Sequence, residues 1–187
     1  MNKKPLFLIV AQSGTGKTTL ANMLEEQCGL KQLESYATRA PRYKGETGHT
    51  FITEEEFANL KDIIVYTVYN QHDYGATAEQ IDKSDVYVID VPGIKTLLAN
   101  YKTDRKIVIF YLSADIKTKI QRMRDRGDSD TKILDRIYND NMFSWLEELE
   151  AVVSGYEHAK IIFINGNQNK DDVFDEVLSC INVYRKG

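Results

Sequence analysis

Only two cysteines occur in the 187 residues, Cys28 and Cys180, far apart and with no C-x-x-C spacing. Neither a disulfide scaffold nor a thiolate zinc site is expected from that usage, and a reduced intracellular setting is its ordinary reading. Positive charge is not in excess: 24 Lys and Arg stand against 28 Asp and Glu, a formal net charge of −4. Domains whose main task is to grip a nucleic-acid backbone are usually basic, so that class is set aside. No apolar stretch approaches the ~20 residues that a membrane-spanning helix needs. The apolar run 5–11 after Lys3 and Lys4 superficially resembles a leader, but it is short and flows into residues 12–17 without a plausible cleavage site. The expectation is a soluble, cytoplasmic chain with neither nucleic acid nor membrane among its partners. Repeats, low-complexity tracts and linkers are also missing, and the length fits one domain with room for a real core.

Four runs are apolar on consecutive residues rather than alternating: 6–10, 86–89, 107–112 and 161–164. Such β-branched runs read as strands buried on both faces, the signature of a parallel sheet. Helical patterns follow them, with Leu20, Met23, Leu24 and Cys28 on one face, then Ile116, Ile120 and Met123, and at the end Val173, Phe174, Val177, Leu178 and Ile181. Strand and helix in alternation predict an α/β fold with helices on both faces of the sheet. Two segments break the rhythm. Residues 34–85 are polar and turn-rich, with Thr53 and Glu56 as a capping box opening a short helix through Phe57 and Leu60. Residues 122–140 are dense in charge and read as a solvated helix face or a loop. The division expected is a core of 1–33, 86–121 and 141–187 carrying two insertions, 34–85 and 122–140.

Ser13-Gly14-Thr15-Gly16-Lys17-Thr18-Thr19 follows the first buried strand and opens the first amphipathic helix. That context is what a phosphate-binding loop requires, because its backbone N–H groups wrap phosphate oxygens at a helix N-terminus. Lys17 adds a point charge on the β- and γ-phosphates of a nucleoside triphosphate, and the Thr18 hydroxyl is placed for Mg²⁺. Ala11 stands where the pattern's first glycine falls, which a methyl tolerates if φ stays negative. Asp90 ends the second strand, where an aspartate can hold Mg²⁺ through water, contact a substrate, or simply cap the turn.

Ser35-Tyr36-Ala37-Thr38-Arg39-Ala40-Pro41-Arg42, with Gly45-Glu46 beyond it, places two guanidinium groups three residues apart. Such a pair suits a second phosphate-bearing substrate. Together with Asp73-Tyr74-Gly75-Ala76-Thr77, Ile89-Asp90-Val91-Pro92-Gly93, the arginine-rich stretch Arg122-Met123-Arg124-Asp125-Arg126-Gly127 with Arg136, and the final run ending in Asn165, the chain resembles the guanylate kinase family over nearly its whole length. The resemblance implies a P-loop three-layer α/β/α fold with a monophosphate-binding insertion and a lid. It implies transfer of the γ-phosphoryl of ATP, with Mg²⁺, to GMP or dGMP. By position, Ser35 contacts the base, with Thr77 and Asp90 on the same substrate. Arg39, Arg42 and Tyr74 hold the monophosphate, and His49 stands in for a family tyrosine. Arg122, Arg126 and Arg136 close over the triphosphate, and Asn165 lies on the adenine side. Lys17, Arg39, Arg126 and Arg136 carry the catalysis, and Thr18 and Asp90 the metal.

The base pocket departs from that pattern. The family's guanine-reading glutamate falls on Val65, whose side chain cannot accept from the guanine edge, and Ala76 replaces the hydroxyl after Tyr74-Gly75. Asp62, Asp73 and Glu79 are the acids available as substitutes. A different phosphorylated acceptor, such as another nucleotide or a ribose bisphosphate, and a non-catalytic binding domain are therefore the alternatives. Asn169-Lys170-Asp171-Asp172 imitates the guanine clamp of switch GTPases, but its position suits the start of the last helix.

Overall fold

The computed structural model describes residues 3–42, 44–141 and 145–186. In chain order the elements begin β1 (Leu6–Ala11), α1 (Lys17–Cys28), β2 (Ser35–Ala37), β3 (His49–Phe51), α2 (Glu54–Ala58), β4 (Ile63–Tyr69), β5 (His72–Thr77), α3 (Ala78–Asp82). They continue with β6 (Val86–Val88), α4 (Val91–Asn100), β7 (Ile107–Ser113), α5 (Ile116–Asp125), α6 (Asp130–Asn141), α7 (Trp145–Val153), β8 (Ala159–Asn165) and α8 (Lys170–Lys186).

The four continuous apolar runs form one all-parallel sheet in the order β6-β1-β7-β8. Alternation inside β1 shows why these runs carry no polar face. Leu6, Leu8 and Val10 enter one buried cluster, while Phe7, Ile9 and Ala11 enter another on the opposite side. The first cluster is completed by Val91, Ile94, Leu97 and Leu98 of α4 and Leu149 and Val153 of α7. The second is completed by Leu20, Ala21 and Leu24 of α1 and Val173, Phe174, Val177 and Ile181 of α8. Each such side chain contributes about 1.5–3 kcal/mol when fully buried, which is why both layers of helix stay on the sheet. The architecture is the expected three-layer α/β/α arrangement. Asn169 starts α8, its Oδ1 accepting from the N–H groups of Asp171 and Asp172 at 3.0 Å each, so the GTPase-like tetrapeptide is a helix cap.

Residues 34–85 are more regular than their polarity suggests. They hold a second four-stranded sheet, β3-β2-β5-β4, with β2 and β3 parallel and β5 antiparallel to both β2 and β4. Two of its strands, β2 and β3, are only three residues long, and β4 and β5 are mostly half-buried, so no continuous apolar run marks them. Asn70 and Gln71, at φ of 48° and 63°, make the two-residue turn of the β4–β5 hairpin. The Thr53–Glu56 capping box does open α2, but the helix ends at Ala58, short of Leu60.

The charged stretch 122–140 is helical rather than a loop. It holds the end of α5 and nearly all of α6, joined through Gly127 at φ 87°. A buried arginine ties the two sheets together. Arg105, 4% exposed, donates to the carbonyls of Lys4 and Pro5 before β1 and to those of Ile81 and Ser84 around α3.

Candidate active site

The turn from β1 into α1 has the backbone that an anion nest needs. Gly14 and Gly16 sit at φ of 78° and 109°, and a Cβ on Gly14 would come within 2.6 Å of the Lys119 carbonyl oxygen. Those two positions therefore accept glycine alone without strain. Ala11 closes β1 fully buried, and it is not among the residues with positive φ. Residues 14–19 line a cavity of about 480 Å³, whose far wall is Arg122, Arg126, Gln168, Lys170 and Val173. Thr18 and Thr19 face it from the first turn of α1. Thr15 is buried, and its hydroxyl has no protein partner.

Lys17 is the electrostatic centre. Its ammonium points back to the Gln12 carbonyl at 3.4 Å. Burial lowers its pKa to about 8; Asp140 works against that, and Arg42, Arg126 and Arg136 add to it. These neighbours come from separate parts of the chain: Arg42 from the loop before β3, and the others from the α5–α6 region. Cations from both irregular segments thus act on the one loop ammonium. Arg126 and Arg136 share a counter-ion, with Asp128 at 2.8 Å from Arg126 Nε and 3.9 Å from Arg136 Nε.

On the β2–β5 side, Arg39 is fixed rather than free. Its two terminal nitrogens donate to Glu46 at 2.9 and 2.7 Å, its Nε donates to the Tyr74 hydroxyl at 3.0 Å, and it lies 5.0 Å over the Phe51 ring. Glu46 also accepts from the Arg42 N–H at 2.6 Å. Burial works to raise the Glu46 carboxyl, but these donors outweigh it and hold its pKa at about 2. His49 packs edge-on to Tyr74 and Phe51. Burial and the nearby Arg39 and Arg42 lower its pKa to about 4, so the ring is neutral near pH 7. Asp90 caps α4, one oxygen taking the Gly93 N–H at 2.7 Å and the other the Thr67 hydroxyl at 3.0 Å. Burial raises its pKa, against the pull of those donors and of Lys17.

Several positions fall elsewhere than the motif roles require. Ser35 is 2% exposed and its hydroxyl is paired with His49 Nδ1 at 2.9 Å, so it faces the histidine rather than an open base pocket. Thr77 is the cap of α3, accepting from the Gln80 N–H. Arg122 is spent on backbone, donating to the carbonyls of Thr15, Gly166 and Gln168 at 2.9, 2.7 and 3.0 Å, and is a wall of the cavity rather than a closing arm. Asn165 turns its Oδ1 to the Asn167 N–H, and Gln168, Lys170 and Val173 line the cavity on that side. Val65 and Ala76 are register partners in β4 and β5, both sealed into the core beneath the sheet. The substitute acids lie away from them: Asp73 accepts from the exposed Tyr66 hydroxyl, and exposed Glu79 pairs with Lys83.

The structure also adds residues that the motifs do not announce. Tyr69 lies in the field of Asp140, Arg136, Arg42 and Tyr74, with burial raising its pKa. Val65, Thr67 and Tyr69 alternate along β4, so recognition of that strand would have put all three on one face. Asp140, 5% exposed at the end of α6, accepts from the Ser13 N–H at 2.7 Å. Gln12 ties the same corner, donating to the Asp140 carbonyl at 3.1 Å and accepting from Lys119 Nζ at 2.6 Å. No local signal marks Asp140 in a stretch already rich in acids.

A glycine-bearing loop between a central parallel strand and its helix, with a cavity along it walled by Arg122 and Arg126, makes this a phosphate-loop α/β protein. No family model matches the chain. A guanylate kinase of Chlamydia caviae is 29% identical over 185 residues, covering 85% of this chain and 87% of that protein. One of Dechloromonas aromatica is 29% identical over 178 residues, covering 79% and 87%. Among solved structures, the guanylate kinase of Anaplasma phagocytophilum superposes over the whole chain and 89% of its own, with a TM-score of 0.56 at 18% identity. A gluconokinase of Sinorhizobium meliloti shares the fold with a TM-score of 0.51 at 15% identity. The chain is similar to guanylate kinases in sequence and in fold, and it is an ATP-dependent phosphotransferase.

Proposed function

We propose that the protein transfers the γ-phosphoryl group of ATP to the phosphate of GMP or dGMP, giving ADP and the nucleoside diphosphate, in the purine nucleotide metabolism of the cytoplasm. The observation that carries this reading is the glycine loop, with Gly14 and Gly16 at positive φ, opening onto a cavity walled by Arg122 and Arg126, while Arg42, from the segment that holds Arg39 and Tyr74, is near enough to act on the loop lysine. The acceptor is a phosphate and already anionic, so no strong general base is needed. Catalysis is then alignment plus neutralisation of charge. The loop N–H groups and Lys17 hold the donor's phosphates, and Arg42 and Tyr74 hold the acceptor's, with Arg39 positioned by Glu46 beside them. Arg126 and Arg136, now on Asp128, turn to the transferring group. The segment 34–85 acts as the acceptor-binding part and 122–140 as the lid that excludes water. Thr18 and, through water, Asp90 suit Mg²⁺, a hard cation that takes hydroxyl, carboxylate and phosphate oxygens. Bound there, Mg²⁺ neutralises charge on the donor's phosphates.

A second reading keeps the phosphotransfer and changes the acceptor. Val65 and Ala76 favour it, because the two positions expected to read guanine are apolar and enclosed. A site that loses a specific hydrogen-bonding partner loses discrimination by up to about 10⁴-fold. Measuring ADP release from Mg-ATP with GMP, dGMP, AMP, CMP, UMP, dTMP and ribose 1,5-bisphosphate separates the two. Selective turnover of GMP or dGMP supports the first reading, and selective turnover of another acceptor replaces it with the second.

A further inference from the structure

Asp140 occupies a place that phosphotransfer itself needs. The cavity follows the loop through residues 14–19 and is lined beyond it by Gln168, Lys170 and Val173, where the nucleoside of a donor would sit. Ser13 lies just beyond, at the loop's other end. A donor laid along the loop from that cavity therefore brings its terminal phosphate to the Ser13 N–H and the Lys17 ammonium. On the acceptor side, Tyr69 lies in the field of both Asp140 and Arg42. Its carboxylate takes the Ser13 N–H at 2.7 Å and supplies negative charge beside Lys17.

We propose that the Asp140 carboxylate and the donor's terminal phosphate compete for the Ser13 N–H and the Lys17 ammonium, so that binding a triphosphate releases the end of α6 from the loop. This rests on the donor reading given above. One N–H cannot serve two anions at hydrogen-bond distance, and like charges brought together in a desolvated site repel strongly. A ligand shifts an equilibrium only by its differential affinity for the two states. Here the differential group is the third phosphate. ADP, which lacks it, leaves Asp140 in place; ATP does not. The device makes the lid segment respond to triphosphate and not to diphosphate.

The test is a pair of affinities, for ATP and for ADP, measured by calorimetry without acceptor on the full chain and on Asp140→Asn and Asp140→Ala. Asp140→Asn removes the charge and keeps the backbone tie from Gln12, so its fold is retained; thermal unfolding of each variant checks this. The expected result is ATP binding tightened by about tenfold in Asp140→Asn, while ADP binding changes less than about twofold. An unchanged ratio of ATP to ADP affinity, or a weakening of both, overturns the proposal and makes Asp140 a structural residue. Wild-type protein that binds neither nucleotide overturns the donor reading, and the proposal falls with it.

Discussion

Arg39 and Glu46 are locked together by two parallel hydrogen bonds, of 2.9 and 2.7 Å, with side chains only 8% and 6% exposed. The pair sets the plane of the guanidinium and, through the Arg42 N–H, the course of the loop that carries Arg42.

Glu46→Ala is expected to lower stability by about 3 kcal/mol, because Arg39 would be left as a buried charge without its partner. The same variant should raise KM for the phosphate acceptor well above its effect on KM for ATP. Denaturant unfolding and steady-state kinetics check the two parts. A variant with unchanged stability would mean that the pair is not formed in solution.

Acid sensitivity follows from the same corner. Glu46 has a folded pKa of about 2, below its ordinary 4.5, so its stabilisation is complete above pH 4.5 and is lost as pH falls toward 2. His49 is neutral in the fold, with a pKa of about 4 against 6.5, so the unfolded chain binds the extra proton between those values. Stability should therefore decline as pH drops from 6.5 to 4, before the Glu46 loss begins in earnest. His49→Gln is expected to flatten that first decline in a series of urea unfolding curves.

Lys17 carries the opposite signature, because its folded pKa is depressed to about 8 from 10.5. The unfolded chain binds more protons through that interval, so this residue's contribution to stability improves as pH rises. A phosphate ligand would favour the charged ammonium and draw in a proton. Calorimetry of ATP binding near pH ~8.5, in two buffers of different ionisation enthalpy, should show uptake of a fraction of a proton. Lys17→Met should abolish it.

Two lid-side arginines separate by their partners. Arg122→Ala is expected to cost roughly 2 kcal/mol of stability, since three backbone carbonyls lose a charged donor. Arg126→Ala touches only the exposed pair with Asp128, and should leave thermal unfolding nearly unchanged while reducing kcat. Equal stability effects in the two variants would contradict this assignment.

Val65→Glu tests the base pocket. Restoring a carboxylate at this position should cost about 3 kcal/mol or more and confer no preference for GMP, because the side chain enters the core beside Ala76. A stable variant with sharpened GMP selectivity would show that β4 turns this face to the acceptor.

The central sheet was legible because its inner strands β1 and β7 are buried on both faces, which leaves a run such as Leu6-Phe7-Leu8-Ile9-Val10 without any polar interruption, although edge strand β8 leaves Phe163 exposed. The second sheet was not, since strands as short as Ser35–Ala37 and His49–Phe51 carry no periodicity to detect. Among site residues, Gly14, Gly16 and Lys17 were readable from local spacing, because the loop is a local structure. What Arg122 and Thr77 do was not, because a motif records a residue type but not whether a carbonyl or a helix end claims the side chain first. Asp140 lies 127 positions from Ser13. Only the folding of α6 back onto the loop gives it meaning.

The most direct measurement of the account is phosphorus NMR of a mixture of Mg-ATP, GMP and enzyme, with Lys17→Ala alongside. Equal amounts of ADP and GDP are expected, with no accumulation of inorganic phosphate and no change in the Lys17→Ala sample. ATP that stays intact, or that goes to inorganic phosphate alone while GMP persists, would contradict it.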